Sequence, residues 1–164
     1  MDEMKRKIYT LEIDEVIEKD FWLGIHTSLE PYQLAFIINQ NSRLKLTRSK
    51  KDVFNEKKEG MFQLFEWVDP INEIVCNLLS NKFILLKNQK KINNNVLFKL
   101  PERNELYLFD EFKHVDLLFR SSDKKIIKSI QYLLIEKPMI SLVYNIPKEK
   151  IRNQLNLIFN NEFY

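Results

Sequence analysis

Apolar and polar positions change period several times along the chain, and each change marks an element. In KIYTLEI (residues 7–13), Ile8, Thr10 and Glu12 alternate against Tyr9, Leu11 and Ile13, the period-two pattern of a half-buried strand. A second, mostly apolar strand, FWLGIH (residues 21–26), runs into Thr27-Ser-Leu-Glu-Pro31, where cap-type hydroxyls, an acid and a first-turn proline start a helix. That helix, YQLAFIINQ (residues 32–40), puts Tyr32, Ala35, Phe36 and Asn39 on one side, and Leu34, Ile37 and Ile38 widen the apolar arc. Most of its surface is therefore expected to be buried. RLKLTR (residues 43–48) alternates again, with Leu44 and Leu46 inward and Arg43, Lys45 and Thr47 outward, as a strand with one wet face does.

The charged residues 50–60 read as a loop. MFQLFEWV and EIVCNLL read as two strands of a meander joined around Asp69-Pro70, a proline-containing turn. A short FILL run then leads into KNQKKINNN (residues 87–95), a polar low-complexity stretch expected to form a mobile surface loop. Residues 97–100 and 106–109 are expected to pair as a hairpin around PERNE. Further on, VDLLFR (residues 115–120) is strand-like, and Ser121-Ser-Asp123 caps a helix in which Ile126, Ile130, Leu133 and Leu134 follow the three-to-four spacing. Pro138 ends that helix, and MISLVYNI puts Ile140, Leu142, Tyr144 and Ile146 on one strand face.

Strand, capped helix and strand thus occur in the same order twice, giving two β-α-β units. The strand pairs between them favour the split form, in which other strands lie between the two that a helix connects. The expected architecture is α+β: a largely antiparallel sheet with two main helices on one face, in a single domain over residues 1–164.

Composition narrows the chemistry. The chain is 45% hydrophobic and 30% charged, the balance of a compact fold, and Lys+Arg 26 against Asp+Glu 23 leaves a formal charge of +3. That excess permits an acidic partner without requiring one. The lone cysteine, Cys76, lies in the apolar run INEIVCNLL and reads as a buried, inert thiol in a reducing compartment. The N-terminal stretch shows no secretory or transit pattern and no apolar run reaches membrane-spanning length, so a cytoplasmic protein with no membrane association is expected. Gly24 and Gly60 are the only glycines, too few for a phosphate-cradling loop. His26, His114 and Cys76 have no metal-site spacing, and the hydroxyls Ser28 and Ser122 are explained as helix starts. No cofactor, metal or catalytic set is expected.

Three places hold candidate chemistry. His26, between an apolar strand and a helix, sits where ligand sites occur in sheet proteins, or else braces the turn. In LFDEFKHVDLLF (residues 108–119), Glu111 and Asp116 would face opposite ways on a straight strand, whereas a turn at residues 112–114 would bring them together with His114 and His26 as an acid/base cluster. The bland reading makes these carboxylates backbone partners: Glu111 holds amides or Lys113 at a bend, and Asp116 faces away from the core while Val115, Leu117 and Phe119 face inward. The third place is the basic stretch Arg43, Lys45, Arg48, Lys50 and Lys51, extended by Lys57 and Lys58 and diluted by Asp52, Glu56 and Glu59. It is either a phosphate-contacting face or a charged edge that resists sheet aggregation.

FDEFKHVDL (residues 109–117) resembles the signature of the IPExxxVDY family, an uncharacterised group of Bacteroidetes proteins. Glu111, Val115 and Asp116 match it, while Phe109, Asp110 and Leu117 replace its isoleucine, proline and tyrosine. LGIHTSLEPYQLAFIINQ (residues 23–40), LKLTRSKKD (44–52), FQLFEW (62–67), NLLSNK (77–82) and NLIF (156–159) also resemble the family. The resemblance implies a bacterial cytoplasmic protein and brings no catalytic residue, and the loss of the signature proline and tyrosine puts any role of those two positions in doubt while leaving Glu111 and Asp116 available. It further implies gene neighbours that include acyl carrier protein and ribonuclease III.

The function expected from all of this is a non-enzymatic binding or adaptor module that meets an acidic macromolecule, RNA or acyl carrier protein, through the Arg43 to Lys58 face. Two alternatives are a small enzyme built on His26, Glu111, His114 and Asp116, and a homodimer formed through a sheet edge or an aromatic patch at Phe65 and Trp67.

Overall fold

The computed structural model describes residues 20–55, 60–87 and 102–151. The strand expected at residues 7–13, the loop at 88–95 and the first arm of the hairpin at 97–100 lie outside them.

Among the described residues, ten strands and two main helices follow in the order β1 (Phe21–Thr27), α1 (Pro31–Asn41), β2 (Thr47–Arg48), β3 (Val53–Asn55), β4 (Gly60–Phe62), β5 (Leu64–Asp69), β6 (Ile74–Ser80), β7 (Lys82–Lys87), β8 (Glu102–Tyr107), β9 (Leu117–Ser121), α2 (Lys124–Ile135) and β10 (Ile140–Ile146). A 3-10 turn, Asp110–Phe112, precedes β9. Six strands form one antiparallel sheet in the order β10-β1-β9-β6-β5-β2. The α+β architecture is as expected, and so is the split connection. β9 and β10, joined by α2, flank β1, and β1 and β2, joined by α1, are separated by β9, β6 and β5. The four-strand order β10-β1-β9-β6, with α1 after β1 and α2 after β9, is that of the ferredoxin-like split β-α-β arrangement, lengthened at one side by β5 and β2.

Both helices cover one face. Leu34, Ala35 and Ile38 of α1 and Ile126, Ile127, Ile130 and Leu134 of α2 pack on Leu23, Ile25, Leu78, Leu117, Phe119 and Val143. α1 starts at Pro31, the position where a missing N–H costs nothing, and Gln33 Oε1 accepts the Glu30 backbone N–H at 2.9 Å. α2 is capped by Asp123, whose carboxylate accepts the Lys125 N–H at 2.7 Å.

The opposite face is buried too. The hairpins β3–β4 and β7–β8 lie over it, and Trp22, Phe62, Leu64, Leu79, Phe109, Leu118 and Ile146 form a second core with Phe83 and Leu106 at its margin. Trp22 meets Phe109 edge-on at 6.3 Å and Phe62 meets Phe83 at 6.2 Å. A sheet covered on both sides needs apolar residues at every position. This is why β6 (IVCNLLS) and the start of β9 (LLF) are near-continuous apolar runs rather than alternating ones.

Several expectations change. Residues 50–60 are not simply a loop, since β3 lies within them and pairs with β4, which begins at Gly60, to cover the second face. PERNE is not a turn: β8 runs through it and pairs with β7, Phe83 opposite Leu106. The outward strand at residues 43–48 contracts to Thr47–Arg48, although Leu44 and Leu46 are buried and Arg43 and Lys45 exposed as the alternation requires. In β10, Leu142, Tyr144 and Ile146 share a face but Ile140 does not. The pairing passes from His26↔Leu142 to Thr27↔Ile140, and this one-residue bulge turns Ile140 onto the helix side.

Candidate functional site

The stretch 108–116 is built around one buried side chain that the sequence did not single out. Asn81, fully buried after β6, donates from Nδ2 to the Phe112 carbonyl at 2.9 Å and the Val115 carbonyl at 2.8 Å, and its Oδ1 accepts the Phe109 N–H at 3.0 Å. Its own backbone carbonyl accepts the Leu108 N–H at 2.8 Å and its N–H donates to the Asp116 carbonyl at 2.9 Å. All the side-chain amide groups are used to hold a non-repetitive segment whose carbonyls and amides have no ladder partner.

The two acids then part company. Asp116 Oδ2 accepts the Thr27 N–H at 2.9 Å, where the bulge interrupts the β1 ladder, while the Asp116 N–H donates to the Ile25 carbonyl at 3.1 Å. Asp116 is thus the backbone-holding carboxylate, and Glu111 is not: it stands exposed on the 3-10 turn, with no hydrogen bond or ion pair among the described residues. The face shared by Asp116, Leu118 and Arg120 is not wet either, because Leu118 is in the second core, as is Val115, whereas Leu117 and Phe119 are in the first. Arg120 reaches Asp20 through Nε and Nη2, both at 2.8 Å, and Asn77 Oδ1 through Nη1 at 3.1 Å.

His26 is half-buried with its ring 5.7 Å from that of Tyr144, whose hydroxyl burial pushes above its ordinary pKa. His114 is exposed on the turn after Phe112. Among the described residues no three His, Cys, Asp or Glu side chains gather as a metal ion would require; of the four expected cluster members, Asp116 is committed to the Thr27 N–H while Glu111 and His114 stand exposed on the turn. Cys76 is buried and donates its thiol to Ser121 Oγ at 3.3 Å; burial pushes its pKa up to about 11, as an inert thiol requires.

The basic stretch lies on the side of the sheet that ends in β2. Arg48 is committed to the fold: it pairs with Asp52, donates to the Leu64 carbonyl at 3.1 Å and lies over the Phe65 ring at 5.5 Å. Phe65 is therefore buried, and Trp67 is half-buried against the first core, so the two do not form the exposed aromatic patch expected of them. Arg43, Lys45, Lys50 and Lys51 are exposed and make no ion pair among the described residues. Lys45 Nζ comes within 3.4 Å of the Asn39 carbonyl at the end of α1. Asp69, on the β5–β6 turn, is held below its ordinary pKa first by the Asn72 amide, with Arg43 a lesser contributor.

The broad apolar arc of α1 is not mostly buried. Tyr32 and Phe36 are each 59% exposed, and with Leu29, Gln33 and Ile37 they line a shallow groove of about 500 Å³. At roughly 100° per residue Tyr32 and Phe36 lie opposite the buried stripe of Leu34, Ala35 and Ile38 and face away from the sheet, while Leu29 belongs to the first core and Ile37 packs against it. Sequence reasoning missed this surface, although the arc is wider than one helix can bury on one sheet.

No helix among the described residues is long and apolar enough to cross a membrane. Comparison with protein-family models, curated proteins and solved structures found no match for this chain.

Proposed function

We propose that the chain is a non-enzymatic binding module that docks an acidic macromolecule on the side of the sheet ending in β2. The observation that carries the proposal is the contrast within the basic stretch. Arg48 is consumed by Asp52, Leu64 and Phe65, while Arg43, Lys45, Lys50 and Lys51 stand exposed around an edge strand with no ion pair among the described residues. Exposed cations gathered along one edge attract an acidic partner and give it an orientation.

Kinship with the IPExxxVDY family and a cytoplasmic setting belong to the same proposal, supported by the segments named above. They keep RNA and acyl carrier protein as the two acidic partners to test.

The test is fluorescence anisotropy with labelled acyl carrier protein and, separately, labelled oligouridylate, at low and moderate salt. Salt-sensitive binding to one of them, lost in the charge-reversed variant Arg43→Glu/Lys45→Glu/Lys50→Glu/Lys51→Glu, is the expected result. Binding to neither at low salt, from a folded sample, overturns the proposal.

A further inference from the structure

The outer surface of the helix layer combines two properties that the function above does not use. Opposite its buried stripe, α2 exposes Tyr132, at 73%, and Ile135, at 59%, together with Lys124 and Lys128. α1 exposes Tyr32 and Phe36 beside the apolar groove. Both helices cover the same face of the sheet, so these outward residues belong to one surface. Thr27 ties the two ends together, its hydroxyl donating to the Met139 carbonyl at 2.8 Å after α2 and accepting the Leu29 N–H at 3.1 Å before α1.

Cations dominate the charge within the helices. α1 carries no charged residue and α2 carries Lys124, Lys125 and Lys128 without an acid, the exposed acids Glu30 and Glu136 standing at the start of α1 and the end of α2. Large exposed apolar side chains rimmed by cations are a poor match for water and a good one for an amphipathic partner whose polar flanks are acidic.

We propose that this surface docks an acidic amphipathic helix of a partner protein. Tyr32, Phe36, Tyr132 and Ile135 take its apolar side chains, and Lys124 and Lys128 take its carboxylates. The proposal rests on the reading that the partner is acidic and adds that it is a protein. A groove floored by Leu29 and Ile37 suits side chains projecting at i, i+3, i+4 and i+7, whereas single-stranded RNA needs flat aromatic platforms in series along a phosphate track.

The probe is a labelled helical peptide with leucines at i, i+3, i+4 and i+7 and glutamates on the flanks, titrated into the full chain by anisotropy. Saturable binding is expected. It should weaken about tenfold or more when Tyr32 and Phe36, both exposed, are changed together to serine, and by a similar factor in Lys124→Glu/Lys128→Glu. Circular dichroism confirms that these variants fold. If the peptide binds as tightly with its leucines replaced by serine, or if the Tyr32/Phe36 variant binds unchanged, apolar docking is overturned while the acidic-partner reading stands. Binding of oligouridylate but not of the peptide also overturns this inference alone. Failure of the peptide, oligouridylate and acyl carrier protein overturns both.

Discussion

The Asn81 side chain donates to the carbonyl of Val115, 34 residues away, at 2.8 Å in a fully buried setting, and the whole segment from Phe109 to Val115 is strung on that amide. Asn81→Ala leaves the Phe109 N–H and the Val115 carbonyl without their partner and takes one of two donors from the Phe112 carbonyl, which keeps the Val115 N–H. Buried unpaired backbone groups cost about 1–3 kcal/mol each, so a loss of about 3 kcal/mol or more is expected in urea denaturation. Binding of an acidic partner to the residue still folded should be unchanged.

The two acids of the same segment should respond oppositely. Asp116→Ala removes the acceptor of the Thr27 N–H at the bulge and should cost about 1–2 kcal/mol. Glu111→Gln changes an exposed side chain without a partner among the described residues and should stay within about 0.5 kcal/mol. Thermal denaturation of the two variants side by side checks the assignment.

What the sequence showed and what it hid follow from how far each signal reaches. β1, β9, β5 and β6 were legible as short apolar runs bounded by turn and cap residues, and α2 by the three-to-four spacing of its one buried stripe. α1 was legible as a helix but not in its burial, since an apolar arc cannot say which part the sheet will cover, and Tyr32 and Phe36 were left outside. β3 was hidden because three residues inside a charged stretch show no period, the break between β4 and β5 at Gln63 because both lie in one apolar run, and β8 because its charged residues ERNELY read as a turn. The bulge that turns Ile140 and the role of Asn81 depend on pairing across long sequence separations. Of the candidate site, Arg43, Lys45, Lys50 and Lys51 were legible as exposed cations; that Arg48 would be spent on Asp52 and Phe65 was not.

Arg120 joins two buried groups, Asp20 and Asn77, across neighbouring strands. Arg120→Leu strands the Asp20 carboxylate and is expected to destabilise by about 3 kcal/mol. Changing Asp20 to leucine as well removes the stranded charge, so the double variant should recover part of that loss. Equilibrium denaturation of the two single variants and the double variant measures the coupling.

Cys76 makes stability depend on alkaline pH. Its folded pKa, about 11, lies above the ordinary 9.0 because burial opposes the thiolate. The unfolded chain therefore loses its proton first as pH rises, which favours unfolding. The contribution is intact below pH 9 and is lost progressively up to about pH 11, by about 2–3 kcal/mol in all at about 1.4 kcal/mol per pKa unit. Cys76→Ala lowers stability at every pH by opening space, but its denaturation midpoint should fall less steeply than the wild type's across that window.

Amide chemical-shift mapping of the labelled protein, titrated with acyl carrier protein and separately with oligouridylate, tests the central claim most directly. With whichever partner binds, saturable shifts are expected to gather at residues 43–51 and to disappear as salt is raised. Saturable shifts confined to surfaces away from those residues, or no shifts with either partner at low salt, would contradict the account.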